Sequence, residues 1–342
     1  MVKRTYQIIN SLPEQIEEEI FLVERSLKGR WARLKNFRPE NIIISGMGGS
    51  GIGGEILSDL GRKYSKIPII TVKDYNIPKL TGKKTLFFAV SYSGNTEETL
   101  ATYYQARKKG SLICVVTSGG ELKVMAQKNG DILIPLPPGI QPRQALGFLL
   151  TPLLVIIGEK KFLPFSILAV KKAAEKLKSF RPECEKRAKI LAQTFYQKIP
   201  YILAGSPLYA AVAYRWKCQL NENSKILAFA NTLPEQNHNE IEGIGRPKII
   251  KKLLAIALLL DPSASPKNNR RVEILPKILS GQYASFQKIE PWGENDLERI
   301  FFSVLLGDLV SYYLGVYYKK DIEKIERIEK LKALLKEIKD EK

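Results

Sequence analysis

Apolar positions recur along this chain in two rhythms. Ile16, Ile20, Val23, Leu27 and Trp31 fall at helical spacing, predicting an amphipathic helix over residues 13–35 with acidic residues near its start. Short runs of β-forming residues follow at 41–45, 67–73, 85–91, 112–117 and 131–135, with helix-competent stretches between several of them. Strand and helix in alternation predict a parallel sheet covered by helices on both faces, where ligands bind beyond the carboxyl ends of the strands. A loop punctuated by proline and glycine, 136–147, precedes an apolar helix at 148–157, and 164–198 is a long charged helical region joining two halves.

A second round then begins. Strand 199–204, the turn Gly205-Ser206-Pro207 and helix 208–221 echo residues 42–60 with most of the glycines gone, as in a duplicated fold. Strands at 226–230 and 253–260, a loop over DPSASPKNNRR, an apolar helix over 291–318 and a highly charged helix or tail over 322–342 complete the pattern.

At 342 residues the chain is long enough for two domains. Its 54 Lys and Arg against 35 Asp and Glu leave a net charge of +19. The basic residues are spread as pairs such as Lys108-Lys109 and Lys251-Lys252, never interleaved with aromatics, so nucleic acid is not the expected partner. Abundant Lys and Glu with few Met, Cys and His also fit a heat-adapted surface. Cys114, Cys184 and Cys218 lie too far apart for a zinc ribbon and argue against a disulfide framework. No run of 18 apolar residues lacks a charge and no signal core opens the chain, so neither a membrane span nor export is expected and a cytoplasmic location is.

Four segments carry candidate chemistry. The first, IIISGMGGSGIGGEILSDL at 42–60, is a strand entering a glycine-rich loop and then a helix, an arrangement that suits an anion. It is neither a P-loop, lacking Gly-Lys-Ser/Thr, nor a clean dinucleotide fingerprint, since Asp74 lies too far on. Ser50 within it suits a small phosphate. The second, Ser91-Tyr92-Ser93-Gly94-Asn95-Thr96, sets three hydroxyls at a strand end where a helix starts. One of them would suffice as a cap, so together Ser91, Ser93 and Thr96 suggest a phosphomonoester cradle. The third is Arg143, a cation that cannot lose its charge, at a loop–helix junction. The fourth comprises Glu222, in the unfavourable dipole field at a helix C-terminus, and His238, the one histidine, in a polar stretch. A single histidine excludes a two-histidine metal site.

GMGGSGIGG followed about 40 residues later by SYSGNTEET closely resembles the sugar isomerase (SIS) domain, and within that superfamily the bifunctional phosphoglucose/phosphomannose isomerases of archaea and some bacteria. The resemblance implies an α/β fold of two SIS-type doubly wound α/β sandwich domains with mainly parallel sheets: 1–160 binding phosphate, 161–320 as the second copy, and a tail, 321–342, contributing to the site. It implies an aldose–ketose isomerase acting on glucose and fructose 6-phosphate, with mannose 6-phosphate as a further substrate. Gly49, Ser50, Ser91, Ser93 and Thr96 would hold the phosphate. Arg143, in a matching P-R-x-A context, would stabilise a cis-enediolate, and Glu222, in N-E-N-S-K, would shuttle the proton. His238, in E-x-N-H-N-E, would open the ring from the opposite subunit of a homodimer, assisted by Lys332. Ile325 stands where the family has a threonine linked to accepting both epimers. No metal or nicotinamide is implied. The rival reading is a non-catalytic sugar-phosphate-binding regulator, but about 35 residues before the first strand are too few for a helix-turn-helix module, and a regulator needs no Glu222–His238 pair.

Overall fold

The computed structural model describes residues 2–337; Met1 and residues 338–342 of the expected tail lie outside the described residues. Three helices, α1 (Val2–Asn10), α2 (Leu12–Leu27) and α3 (Trp31–Asn36), open the chain. The single helix expected over 13–35 is thus two, parted at Gly29, whose φ of +79° no helix interior accommodates. Next come β1 (Asn41–Ser45), α4 (Gly48–Tyr64), β2 (Ile69–Val72), β3 (Thr85–Val90), α5 (Glu97–Lys108), β4 (Leu112–Thr117), α6 (Gly120–Asn129) and β5 (Ile132–Pro135). They build a fully parallel sheet in the order β2-β1-β3-β4-β5. Every residue of β1, β3 and β4 is buried, as continuous apolar strands covered on both faces require.

Two helices, α7 (Leu146–Glu159) and the 29-residue α8 (Ile167–Phe195), lead to the second round. There β6 (Ile199–Ala204), α9 (Ala210–Asn223), β7 (Phe229–Thr232), the short α10 (Ile250–Leu253), β8 (Leu254–Leu259), α11 (Pro266–Ile278) and β9 (Ser285–Ile289) form a parallel sheet ordered β7-β6-β8-β9. The first strand of each half lies between the second and third, so the strand order repeats and carries the duplication that sequence similarity only hinted at. α12 (Asp296–Tyr317) and α13 (Glu326–Glu337) close the chain.

Three expectations are corrected here. The stretch expected as loop over DPSASPKNNRR holds the start of α11: Ser265 accepts from Asn268 N and Pro266 takes the first helical position, a start signal within the loop. β7 runs later than the expected 226–230, and β9 was not anticipated because its polar residues alternate with few apolar ones. The glycine-rich stretch is only briefly a loop, since α4 begins at Gly48 and Gly49, Ser50, Gly51, Gly53 and Gly54 already lie within it.

One hydrophobic core runs through both halves, joining residues of α2, α7 and α8 to residues of α9 and α12. α12 is long and apolar enough to cross a membrane by composition, but it packs against α8 and α9 and is largely buried. Polar bonds also tie the halves: Asp59 of α4 accepts from Ala211 N of α9 at 2.8 Å, and Lys63 pairs with Asp296 of α12 at 2.6 Å.

Candidate active site

The carboxyl ends of β1 and β3, paired neighbours in the first sheet, bring the two hydroxyl-bearing turns together. Ser50, buried in the first turn of α4, accepts a hydrogen bond from Tyr92 N at 3.1 Å. Across the turn, Ser91 and Thr96 share a hydrogen bond of 2.8 Å, and Ser91 Oγ accepts from Gly94 N at 3.1 Å. Thr96 is the N-cap residue of α5 but its side chain makes no cap bond. Ser93 is exposed and accepts from Asn95 N at 3.3 Å. Gly94 adopts φ +72° with the Gly119 carbonyl packed against it, so no side chain fits there.

Gly49, next to Ser50, lines a cleft of about 240 Å³ together with Gly48, Lys73, Arg143, Tyr214 and Glu222, among others. A Cβ on Gly49 would lie 2.6 Å from Arg143 N, so glycine here is what lets the segment bearing Arg143 close onto α4. Arg143 is buried, and its guanidinium is held on every side. Nε donates to Asn223 Oδ1 at 2.9 Å, Nη1 to Gln141, and Nη2 to the carbonyls of Ile322 and Glu323 at 2.8 and 3.1 Å. Burial pulls its pKa below the ordinary arginine value, opposed by the negative charges of Glu222 and Glu323. A guanidinium so placed remains a fixed cation. Glu222 Oε2 lies 3.7 Å from Arg143 Nη1, and its side chain is 28% exposed, facing the cleft.

The motif around Glu222 divides its labour by residue. Asn221 accepts from Ala228 N at 3.2 Å, Asn223 orients Arg143 and donates to Ser311 at 2.9 Å, and Ser224 donates to the Ser311 carbonyl at 2.7 Å. The end of α9 is thereby fastened to α12.

The arrangement is therefore a cluster of hydroxyls at two neighbouring strand ends, beside a cleft lined by a carboxylate and a fixed cation. A family described as bacterial phospho-glucose isomerase C-terminal SIS domain matches residues 184–335. A bifunctional phosphoglucose/phosphomannose isomerase of Caldicellulosiruptor bescii is 36% identical over 98% of this chain and all of its own length. The chain belongs to the bifunctional phosphoglucose/phosphomannose isomerase family. The Thermoplasma acidophilum member is 37% identical over 85% of this chain and 88% of its own. Tagatose-6-phosphate ketose/aldose isomerase of Escherichia coli, only 13% identical, shares the fold with a TM-score of 0.73 over 94% of this chain and 96% of that one.

Within this isomerase-family chain, the expected residues separate into three groups. Ser50, Ser91, Ser93 and Thr96 gather at neighbouring strand ends, and Gly49, Arg143 and Glu222 line one cleft. His238 is exposed at the end of the short 3-10 helix Glu235–His238, and does not line that cleft. Lys332 is exposed on α13; the parts of the tail that bond Arg143 are instead the carbonyls of Ile322 and Glu323.

Sequence reasoning missed Arg215 and Gln219. Seven and three residues before Glu222, they share its helix face. Both donate to the Arg143 carbonyl, at 2.9 and 3.1 Å, and both bond Asp308, whose pKa burial raises and Arg215 holds down. Asp308, a lone charge within the apolar stretch 300–317 of α12, was the signal that could have found this pair.

Proposed function

We propose that this chain is an aldose–ketose isomerase that interconverts glucose 6-phosphate and fructose 6-phosphate, and that it also takes mannose 6-phosphate. What carries the reading is the Arg143–Glu222 pair, 3.7 Å apart, in a cleft that Gly49, the neighbour of Ser50, also lines. Gly49, Ser50, Ser91, Ser93 and Thr96 hold the phosphate, and its binding energy fixes the reacting carbons. His238, helped by Lys332, moves a proton between the ring oxygen and the sugar hydroxyl to open the ring. Glu222 then takes the proton from the carbon beside the carbonyl and returns it to the neighbouring carbon. Arg143 stabilises the cis-enediolate charge between the two steps. The hydrogen travels as a proton and the redox change is internal to the sugar, so the scheme calls for neither metal nor nicotinamide. Rotation about the C2–C3 bond of the open intermediate presents either face of C2, which gives access to both epimers.

The chain acts as a homodimer in this proposal, with His238 delivered from the other copy; its exposure, and its absence from the cleft lining, support that arrangement. The test is a coupled assay of purified protein with glucose 6-phosphate and mannose 6-phosphate, alongside Glu222→Gln. Turnover by the natural chain, lost about 10²- to 10⁴-fold in the variant with binding kept within tenfold, is the expected result. Undiminished turnover by Glu222→Gln overturns the assignment of the base.

A further inference from the structure

Lys225 adopts φ +58°, just past the Ser224 cap of α9. Glycine is the usual residue at such a helix end, and a lysine there strains the backbone. The return lies in its side chain. The ammonium donates to the Glu222 carbonyl at the end of its own helix and to the Lys324 carbonyl at 2.5 Å. Burial lowers the pKa of this lysine, as does the charge of Arg143, while Glu222, Asp321 and Glu326 oppose the change.

The Lys324 carbonyl belongs to the segment between α12 and α13, a strap that runs against Arg143 and Lys225. Its two preceding carbonyls, Ile322 and Glu323, are the acceptors of Arg143 Nη2. Three successive strap carbonyls are thus held by two cations, one from each half of the fold. Gln141 also donates to the Glu323 carbonyl, and Thr5 of α1 donates to the Glu323 carboxylate, each at 3.1 Å. Were the strap to lift, Arg143 would lose two acceptors and its fixed place 3.7 Å from Glu222.

We propose that Lys225 is a positioning residue for the isomerase reaction, clamping the strap to the end of α9 so that Arg143 stays set against Glu222, without itself touching substrate. The inference rests on the reading that Arg143 and Glu222 carry the chemistry. Lys225→Gly in the full-length protein tests it, because glycine is at home at positive φ and the variant loses the clamp while relieving the backbone. The expected result is a kcat lowered about 10- to 100-fold, with KM for glucose 6-phosphate within about threefold. The thermal midpoint stays level or rises, and amide exchange across 320–325 quickens. Lys225→Arg, which keeps the charge and the reach, recovers part of the kcat. An unchanged kcat in Lys225→Gly, a rise in KM with kcat intact, or a fall in thermal midpoint that accounts for the lost activity each overturns the proposal. Glu222→Gln run in parallel separates the two failures: if it is inactive while Lys225→Gly is normal, only the clamp falls.

Discussion

Asn223 holds the guanidinium of Arg143 by a 2.9 Å bond to its Nε, although the two residues stand 80 positions apart and on different halves of the duplicated fold. The residue beside Asn223 is Glu222, so one helix end both presents the carboxylate and aims the cation at it. This bond between halves, beside those to Gln141 and to the Ile322 and Glu323 carbonyls, sets the placement of the cation against the acid, and substitutions at either end should act on catalysis before they act on folding.

Arg143→Lys keeps the charge and loses the fork that reaches Asn223, Gln141 and the strap together. The kcat should fall about 10²- to 10³-fold, the range for loss of a preorganised donor to a developing oxyanion, while KM changes little. Steady-state kinetics with circular dichroism as a check on folding decide it; near-normal kcat would show that charge alone is enough.

Ser50→Ala and Ser93→Ala should differ in kind. The first leaves the buried Tyr92 N–H without its acceptor and should cost about 1–3 kcal/mol of stability as well as phosphate affinity. Ser93 is exposed, so its loss should raise KM for the phosphorylated sugar with the thermal midpoint unchanged. Equal thermal midpoints for the two variants would contradict this account of the cradle.

Glu19 of α2 is fully buried, and neither carboxylate oxygen has a hydrogen-bond partner among the described residues. Burial, with a smaller push from Glu18, raises its pKa from 4.5 to about 9. The folded state thus binds its proton more tightly than the unfolded one. The contribution of Glu19 to stability is fully present below pH 4.5 and declines as pH rises toward 9, by about 1.4 kcal/mol per pH unit at most. Glu19→Gln removes that slope, so the variant should match the natural chain near pH 4.5 and melt at least about 3 °C higher at pH 8. Parallel melting curves at both pH values would refute it.

Mixing Glu222→Gln with His238→Asn tests the shared site directly. If His238 serves the other copy, a mixed dimer has one site with both groups intact and one with neither. Two nearly inactive proteins, unfolded and refolded together, should then regain about a quarter of natural activity, since half the dimers are mixed and each has one working site. No recovery in a sample shown to contain mixed dimers would place His238 in its own chain's site.

The pattern of strands and helices was legible because apolar runs and turn residues are local. β1, β4 and β6 span the predicted residues, and the hydroxyls at two strand ends fall side by side because β1 and β3 pair. What failed locally, the start of α11 and the break at Gly29, turned on a cap and a backbone angle rather than on hydrophobic rhythm. The sequence by itself determined that two α/β halves each carry a parallel sheet, and which residue types could meet a phosphorylated sugar. Only the tertiary structure decided what holds Arg143: the partners of its guanidinium include an asparagine 80 residues on and two carbonyls about 180 residues on. Backbone carbonyls carry no side-chain identity, so no residue pattern could have announced the strap that packing brings against Arg143.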